Sequence, residues 1–132
     1  CCIYATAPFL NGGVLAQALS QLESEQTMDF AFSVTTFEFP IQRAIRLADK
    51  GVEPLDASQM EKRSQDLEEY YHDAGQFYWG TKDAWLDNKP LFSKHSMPVF
   101  LPRYLVQDID TEEDWIRAEL MYRAYMQTKG DK

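Results

Sequence analysis

Two aspartates flank one apolar residue in Asp108-Ile109-Asp110, and that spacing defines the chemistry the chain can offer. In an extended segment side chains alternate between faces, so Asp108 and Asp110 would project together while Ile109 turns to the core. Hard divalent cations such as Mg²⁺ take oxygen ligands, commonly one or two carboxylates, with substrate phosphates and water completing the shell. The same letters also spell a helix start. Thr111, followed three residues later by Asp114, forms a near capping box, and Glu112 and Glu113 suit the positive end of a helix. Cap chemistry accounts for Thr111 to Asp114 and leaves Asp108 and Asp110 outside it.

Arg63 is the one cation to single out. With Gln65 two residues on, it offers a bidentate fork plus an amide to a carboxylate-bearing ligand. Asp66, Glu68 or Glu69 could instead absorb it in a surface pair. His72 and His95 lie far apart, without Cys or His at ligand spacing, which argues against zinc. Ser64 lacks the surroundings of a hydrolase nucleophile. Neither G-x-x-x-x-G-K nor G-x-G-x-x-G occurs, and Gly12-Gly13 alone is too little to cradle phosphates.

Composition narrows the classes further. A chain of 132 residues, 45% hydrophobic and 26% charged, suits one globular domain, or part of one. Its net charge of −8 opposes long polyanions, so DNA and RNA are not expected partners. No apolar run approaches the length of a bilayer span, and no cleavable signal is expected. Cys1 and Cys2 are the only cysteines and are adjacent, which excludes a disulfide framework and points to a reducing cytoplasm.

The elements that must position these groups follow from the apolar pattern. Cys1 to Ala5 reads as a buried strand that opens without a polar lead-in, a hint of sequence missing upstream. Asn11 caps a helix carrying Val14, Leu15, Ala18, Leu19 and Leu22 at helical spacing. Met28 to Phe37 suits a strand covered on both faces, so strand, helix and strand suggest a βαβ crossover in a parallel sheet. Phe39 to Leu55 alternates around Asp49-Lys50-Gly51 as a β-ribbon, with Arg43 and Arg46 on its solvated edge. Gly75 to Gly80 predicts an aromatic strand whose glycines allow close approach, and Lys82 to Leu86 a short helix. Met97 to Pro102 suits an edge strand. A final helix after Thr111 would pack by Trp115, Ala118, Tyr122 and Tyr125 and close at Lys129-Gly130.

Three of these stretches together resemble a known family. Tyr4-Ala5-Thr6-Ala7-Pro8-Phe9, Arg63-Ser64-Gln65-Asp66-Leu67 through Asp73-Ala74-Gly75-Gln76-Phe77-Tyr78, and Val106 through Trp115 look like the acylneuraminate cytidylyltransferases, and most like the branch that makes CMP-pseudaminic acid. The likeness runs in order along essentially the whole chain. It implies an α/β, partial Rossmann-like nucleotidyltransferase sheet with flanking helices and a β-ribbon excursion, 1–132 forming a single domain like the C-terminal part of such an enzyme. It also implies transfer of CMP from CTP to an acidic nine-carbon nonulosonic sugar with Mg²⁺, usually by a homodimer. Asp108 and Asp110 would then be metal carboxylates, which becomes the favoured reading, while Thr6, Arg63, Gln65 and Tyr78 would line the sugar pocket, with Phe92 near its acyl groups. The family's triphosphate-gripping loop has no counterpart here, so CTP is expected to engage only in a full-length context, no residue of this chain is assigned as catalytic, and no turnover is expected from it alone. The competing expectation is a truncated, non-catalytic relative that binds a ligand or dimerises.

Overall fold

Phe30-Ala31-Phe32-Ser33-Val34-Thr35-Thr36 has no charged face to give to water. In the computed structural model, which describes residues 1–130, it forms an inner strand buried from Phe30 to Thr35, as its composition requires. In chain order the elements are β1 (Cys2–Ile3), helix α1 (Gly12–Ser24), β2 (Phe30–Thr36), β3 (Ile45–Ala48), β4 (Gly51–Pro54), β5 (Tyr71–Gly80), helix α2 (Lys82–Leu86), β6 (Ser96–Phe100) and helix α3 (Glu112–Gly130). They form two compact units, Cys1–Thr35 with Asp73–Lys132, and Thr36–His72.

The first unit holds a four-stranded sheet in the order β1-β5-β2-β6. β2 and β6 are parallel, with Phe30 opposite Ser96 and Val34 opposite Phe100, while β1 runs antiparallel to β5. The class is therefore α/β with a mixed sheet. Two expectations need correction. The opening strand is only Cys2–Ile3, and it lies at the end of the sheet with Ile3 51% exposed. β5, antiparallel to β1, stands between it and β2, so the sheet is mixed where a parallel one was expected. Pattern showed the strands, but an antiparallel strand arriving from far along the sequence took the central place.

α1 covers one face of this sheet. Asn11 caps it by accepting a hydrogen bond from the Val14 N–H at 3.1 Å, and Ala18 and Leu22 pack on Ala31, Phe77 and Val99. Removing a side chain such as Phe77 from water stabilises the fold by about 1.5–3 kcal/mol. Phe32, Val34 and Tyr78 form a second cluster with Leu91 against it. Gly80 makes room for aromatic rings rather than for backbone or ligand: a β-carbon there would fall 2.7 Å from the Phe30 ring and 2.5 Å from Trp85 Nε1. β6 carries Pro98 at the far end of the sheet, where a missing N–H leaves fewer ladder bonds unmade.

β5 is not regular. Gly75 has a φ of +61°, in the left-handed region that favours glycine, and the strand bulges there. The Ser33 hydroxyl accepts hydrogen bonds from the Gln76 and Phe77 N–H groups at 3.2 and 3.3 Å. A side chain thus satisfies two buried donors at the irregularity.

α3 starts as its letters indicate, the Thr111 hydroxyl accepting from the Asp114 N–H and Asp114 accepting from the Thr111 N–H. It packs by the expected face at Ala118, Tyr122 and Tyr125, and only Trp115 departs from it. Contact centres on small, buried Ala118, which allows close approach, with Phe9 against the Tyr122 and Tyr125 rings at 6.0 Å each. Trp115 stays 57% exposed at the margin. The helix reaches Gly130, the last of the described residues.

The second unit contains the predicted ribbon. β3 and β4 pair antiparallel, Ile45 opposite Pro54 and Ala48 opposite Gly51, and Arg46 and Glu53 form a cross-strand ion pair at 2.7 Å. The ribbon begins later than the alternation suggested. Pro40 presets a 3₁₀ turn over Ile41–Arg43, and the Arg43 guanidinium donates to the Lys62 carbonyl instead of lying free along the edge.

Ser33→Ala should destabilise the protein by about 1–3 kcal/mol, because two buried N–H groups lose their acceptor. Urea unfolding followed by circular dichroism measures this, and an unchanged midpoint would contradict the role given to the hydroxyl.

Candidate functional site

Asp73 and Gly75 shape the ground on which the acidic residues stand. Asp73 Oδ1 accepts the Gly75 N–H at 2.9 Å, the local turn typical of Asp followed two residues later by glycine, and Oδ2 accepts the Tyr78 hydroxyl at 2.5 Å. Tyr78 is 5% exposed. Its ring is stacked on Phe32 with centroids 6.0 Å apart, and Tyr4 tilts against it at 5.4 Å. Phe92 meets Phe32 edge-on at 5.4 Å and is 67% exposed. Tyr4, Tyr78, Phe32 and Phe92 therefore make an aromatic row, open at the Phe92 end.

Asp108 lies beside the bulge. A β-carbon on Gly75 would sit 3.7 Å from its Oδ2, and its Oδ1 accepts the Ile109 N–H at 3.1 Å. The segment is anchored from β5, where buried Gln76 donates its amide to the Leu105 carbonyl at 2.6 Å. Gln107, also buried, donates to the Asp108 carbonyl at 3.1 Å. The expected extended strand is absent over Asp108 to Asp110; the backbone is irregular after a 3₁₀ turn at Arg103–Leu105, so these hydrogen bonds and not strand alternation place the acids. Asp108 and Asp110 are both exposed, and the Asp110 N–H donates to Asp114. Ile109 is half-buried and helps to line an apolar cleft of about 260 Å³ with Pro8, Trp115, Ala118 and Tyr122.

The structure divides the residues singled out by sequence. Thr6, Tyr78, Asp108 and Asp110 belong to the first unit, where Tyr78 and Asp108 stand around the Asp73-Gly75 turn and Thr6 occupies the turn after β1, half-buried. Arg63 and Gln65 belong to the second unit and are exposed. Ser64 and Gln65 line a cavity of about 370 Å³ with Phe37, Pro40, Leu67 and Tyr70. Among the described residues Arg63 makes no ion pair, and the Glu68 and Glu69 carboxylates accept the hydroxyls of Tyr70 and Tyr71. Asp73 was not among the sequence candidates. Its signal was the Asp-Ala-Gly spelling ahead of an aromatic strand.

Hydrogen bonds from Thr111 hold the Asp114 carboxyl below its ordinary value, as suits a carboxylate at a helix start. Among the described residues no group of three or more His, Cys, Asp or Glu could by itself hold a metal. Burial first, and then Asp73, push the Tyr78 phenol well above its ordinary value. The folded state holds this proton more tightly than the unfolded state does. Its stabilisation is therefore complete below the unfolded phenol pKa of about 10 and is lost as pH rises through the higher folded value. Unfolding followed by circular dichroism should show Tyr78→Phe losing less stability than the wild type as pH rises above about 10, and equal losses would contradict the assignment.

No family profile matches the chain. Individual relatives do. It is 47% identical over 124 residues to the pseudaminic acid cytidylyltransferases of two Campylobacter jejuni strains, one of serotype O:23/36 and one of O:2, the matched region covering 93% of this chain and 53% of each relative. It is 33% identical over 109 residues to a Helicobacter pylori protein named as a pseudaminic acid cytidylyltransferase and UDP-2,4-diacetamido-2,4,6-trideoxy-beta-L-altropyranose hydrolase, covering 83% of this chain and 21% of that one. The chain thus spans about half the length of the Campylobacter relatives it matches. With nearly half its residues identical along nine-tenths of its length, the chain belongs to the pseudaminic acid cytidylyltransferase family.

Proposed function

We propose that the chain supplies the sugar- and metal-binding side of a cytidylyltransferase that moves CMP from CTP to an acidic nine-carbon nonulosonic acid of the pseudaminic type. One observation carries this reading, the 47% identity over 93% of the chain to proteins of that name. In the reaction the anomeric hydroxyl oxygen of the sugar attacks the α-phosphorus of CTP, a new P–O bond forms, and the bond to the β-phosphate breaks to release pyrophosphate. The proton of that hydroxyl leaves to solvent or to a base.

Asp108 and Asp110 would hold Mg²⁺, and their exposed oxygen donors fit a hard cation. When bound, the ion neutralises phosphate charge at the reacting centre. Arg63, with no acidic partner among the described residues, would hold the sugar carboxylate through a bidentate fork, and Gln65 would add an amide. Thr6 would contact the sugar from the turn after β1. Tyr78, buried and bonded to Asp73, would serve as floor to the pocket, with Phe92 exposed against acyl groups. Leu47 at 87% exposure, with Ile45, Val52 and Leu55, would be covered by a second copy in a homodimer. CTP as co-substrate fits a cytoplasmic location, and no helix among the described residues is long and apolar enough to cross a membrane.

Calorimetric titration of pseudaminic acid with Mg²⁺ tests the reading. Wild type should bind, and Arg63→Ala should bind at least about tenfold more weakly, since a charge-assisted pair of hydrogen bonds is worth about 1.5–3 kcal/mol. Equal affinity in the two proteins, or none in either, would leave a non-catalytic interaction domain as the better account.

A further inference from the structure

Asp73 and Tyr78 are five residues apart on one strand. In a regular strand an odd separation puts two side chains on opposite faces of the sheet. Yet the Asp73 carboxylate binds the Tyr78 hydroxyl at 2.5 Å. The bulge at Gly75 explains how: one extra residue shifts the alternation by one place and returns Asp73 to the face of Tyr78. Asp73 is therefore both product and fastening of the bulge, since its other oxygen binds the Gly75 N–H at 2.9 Å.

The same bulge governs the residues after it. It sets the side on which Gln76 emerges, and the Gln76 amide holds the Leu105 carbonyl at the root of the segment that carries Asp108. It also presents the bare α-carbon of Gly75 to the Asp108 carboxylate, where a β-carbon would lie 3.7 Å from Oδ2. One hydrogen bond, to Leu105, and one close approach, at Gly75, thus connect the fastened turn to the segment of Asp108. The other oxygen of Asp108, Oδ1, accepts from its own neighbour, the Ile109 N–H.

We propose that Asp73 is a positioning residue of this site: by tying the Gly75 N–H and the Tyr78 hydroxyl together across the bulge, it fixes the place of the Asp108 carboxylate without itself touching the metal. This rests on the reading that Asp108 and Asp110 hold a divalent cation. Each oxygen of this carboxylate accepts from a donor of the protein, Oδ1 from the Gly75 N–H and Oδ2 from the Tyr78 hydroxyl. An asparagine can fill most of the same role. Its carbonyl oxygen accepts from Gly75, and its amide group meets the Tyr78 oxygen once the phenol proton rotates away.

Mn²⁺ binding by the whole chain, followed by water-proton relaxation, tests the proposal. Asp73→Ala, shown to be folded by circular dichroism, should bind Mn²⁺ about 10-fold to 100-fold more weakly than wild type, the loss seen when a group that orients a ligand is removed. Asp73→Asn should recover to within about threefold of wild type, because the clamp survives without the charge. A loss in Asp73→Asn as deep as in Asp73→Ala would overturn the proposal by making Asp73 a direct ligand. Undiminished affinity in folded Asp73→Ala would overturn it as well. If Asp73→Ala does not fold, Tyr78→Phe takes its place, since it opens one arm of the clamp and keeps the other; unchanged affinity there would be equally fatal. Should wild type bind no Mn²⁺, the metal reading falls by itself. The positioning claim is then decided by unfolding equilibria of Asp73→Ala (or Tyr78→Phe, where Asp73→Ala does not fold), Asp108→Ala and the double variant, where the combined effect should differ from the product of the single effects by more than about threefold. Closer agreement would overturn it.

Discussion

A backbone irregularity held by two side chains from opposite sides organises this molecule. At Gly75 the chain takes a left-handed conformation, the Ser33 hydroxyl satisfies the Gln76 and Phe77 N–H groups, and Asp73 binds the Gly75 N–H. Without those partners three N–H groups in or beside the core would lack acceptors, at a desolvation penalty of about 1–3 kcal/mol each. Phe77 and Tyr78 then fall on the two faces that the sheet needs covered, one toward α1 and one toward the aromatic row. The site and the core share one local geometry.

The separation of the acidic run into two tasks follows from the same economy of hydrogen bonds. Asp114 is occupied by the Thr111 hydroxyl and by the N–H groups of Asp110 and Thr111 at the start of α3. Asp108 belongs to the β5 side, through Gly75, Gln76 and Leu105. Asp110 has its N–H in the cap and its side chain exposed. One run of letters therefore serves a helix start and a candidate metal position, which is why the two readings of it from sequence were not exclusive.

Much of the fold was legible in residue order. Phe30 to Thr36 announced a doubly covered strand by its lack of a polar face, Asn11 and Thr111 announced helix starts by their side-chain oxygens, and Asp49-Lys50-Gly51 announced the ribbon turn. What misled was partnership. Cys1 to Ala5 has the composition of a buried strand, but composition says nothing about which strand lies beside it, and the long-range arrival of β5 decided both neighbour and direction. On the last helix the spacing gave the packing face at Ala118, Tyr122 and Tyr125, but not that Trp115, at its margin, would stay exposed. In the site, Asp108 and Asp110 stood out by chemistry and Arg63 by charge. Asp73 did not, because its role depends on a positive φ two residues away that no side-chain pattern displays.

The ribbon unit has a consequence for the time domain of the molecule. Among the described residues 36–72 none is fully buried, and the eight residues of β3 and β4 are all exposed. A segment with so little enclosed surface has little free energy opposing its own opening, whereas β2 is enclosed nearly from end to end. Amide exchange and proteolytic nicking would therefore begin between Thr36 and His72 by excursions that leave the β2 ladder shut, giving the stretch that carries Arg63 and Gln65 a local lifetime shorter than that of the sheet.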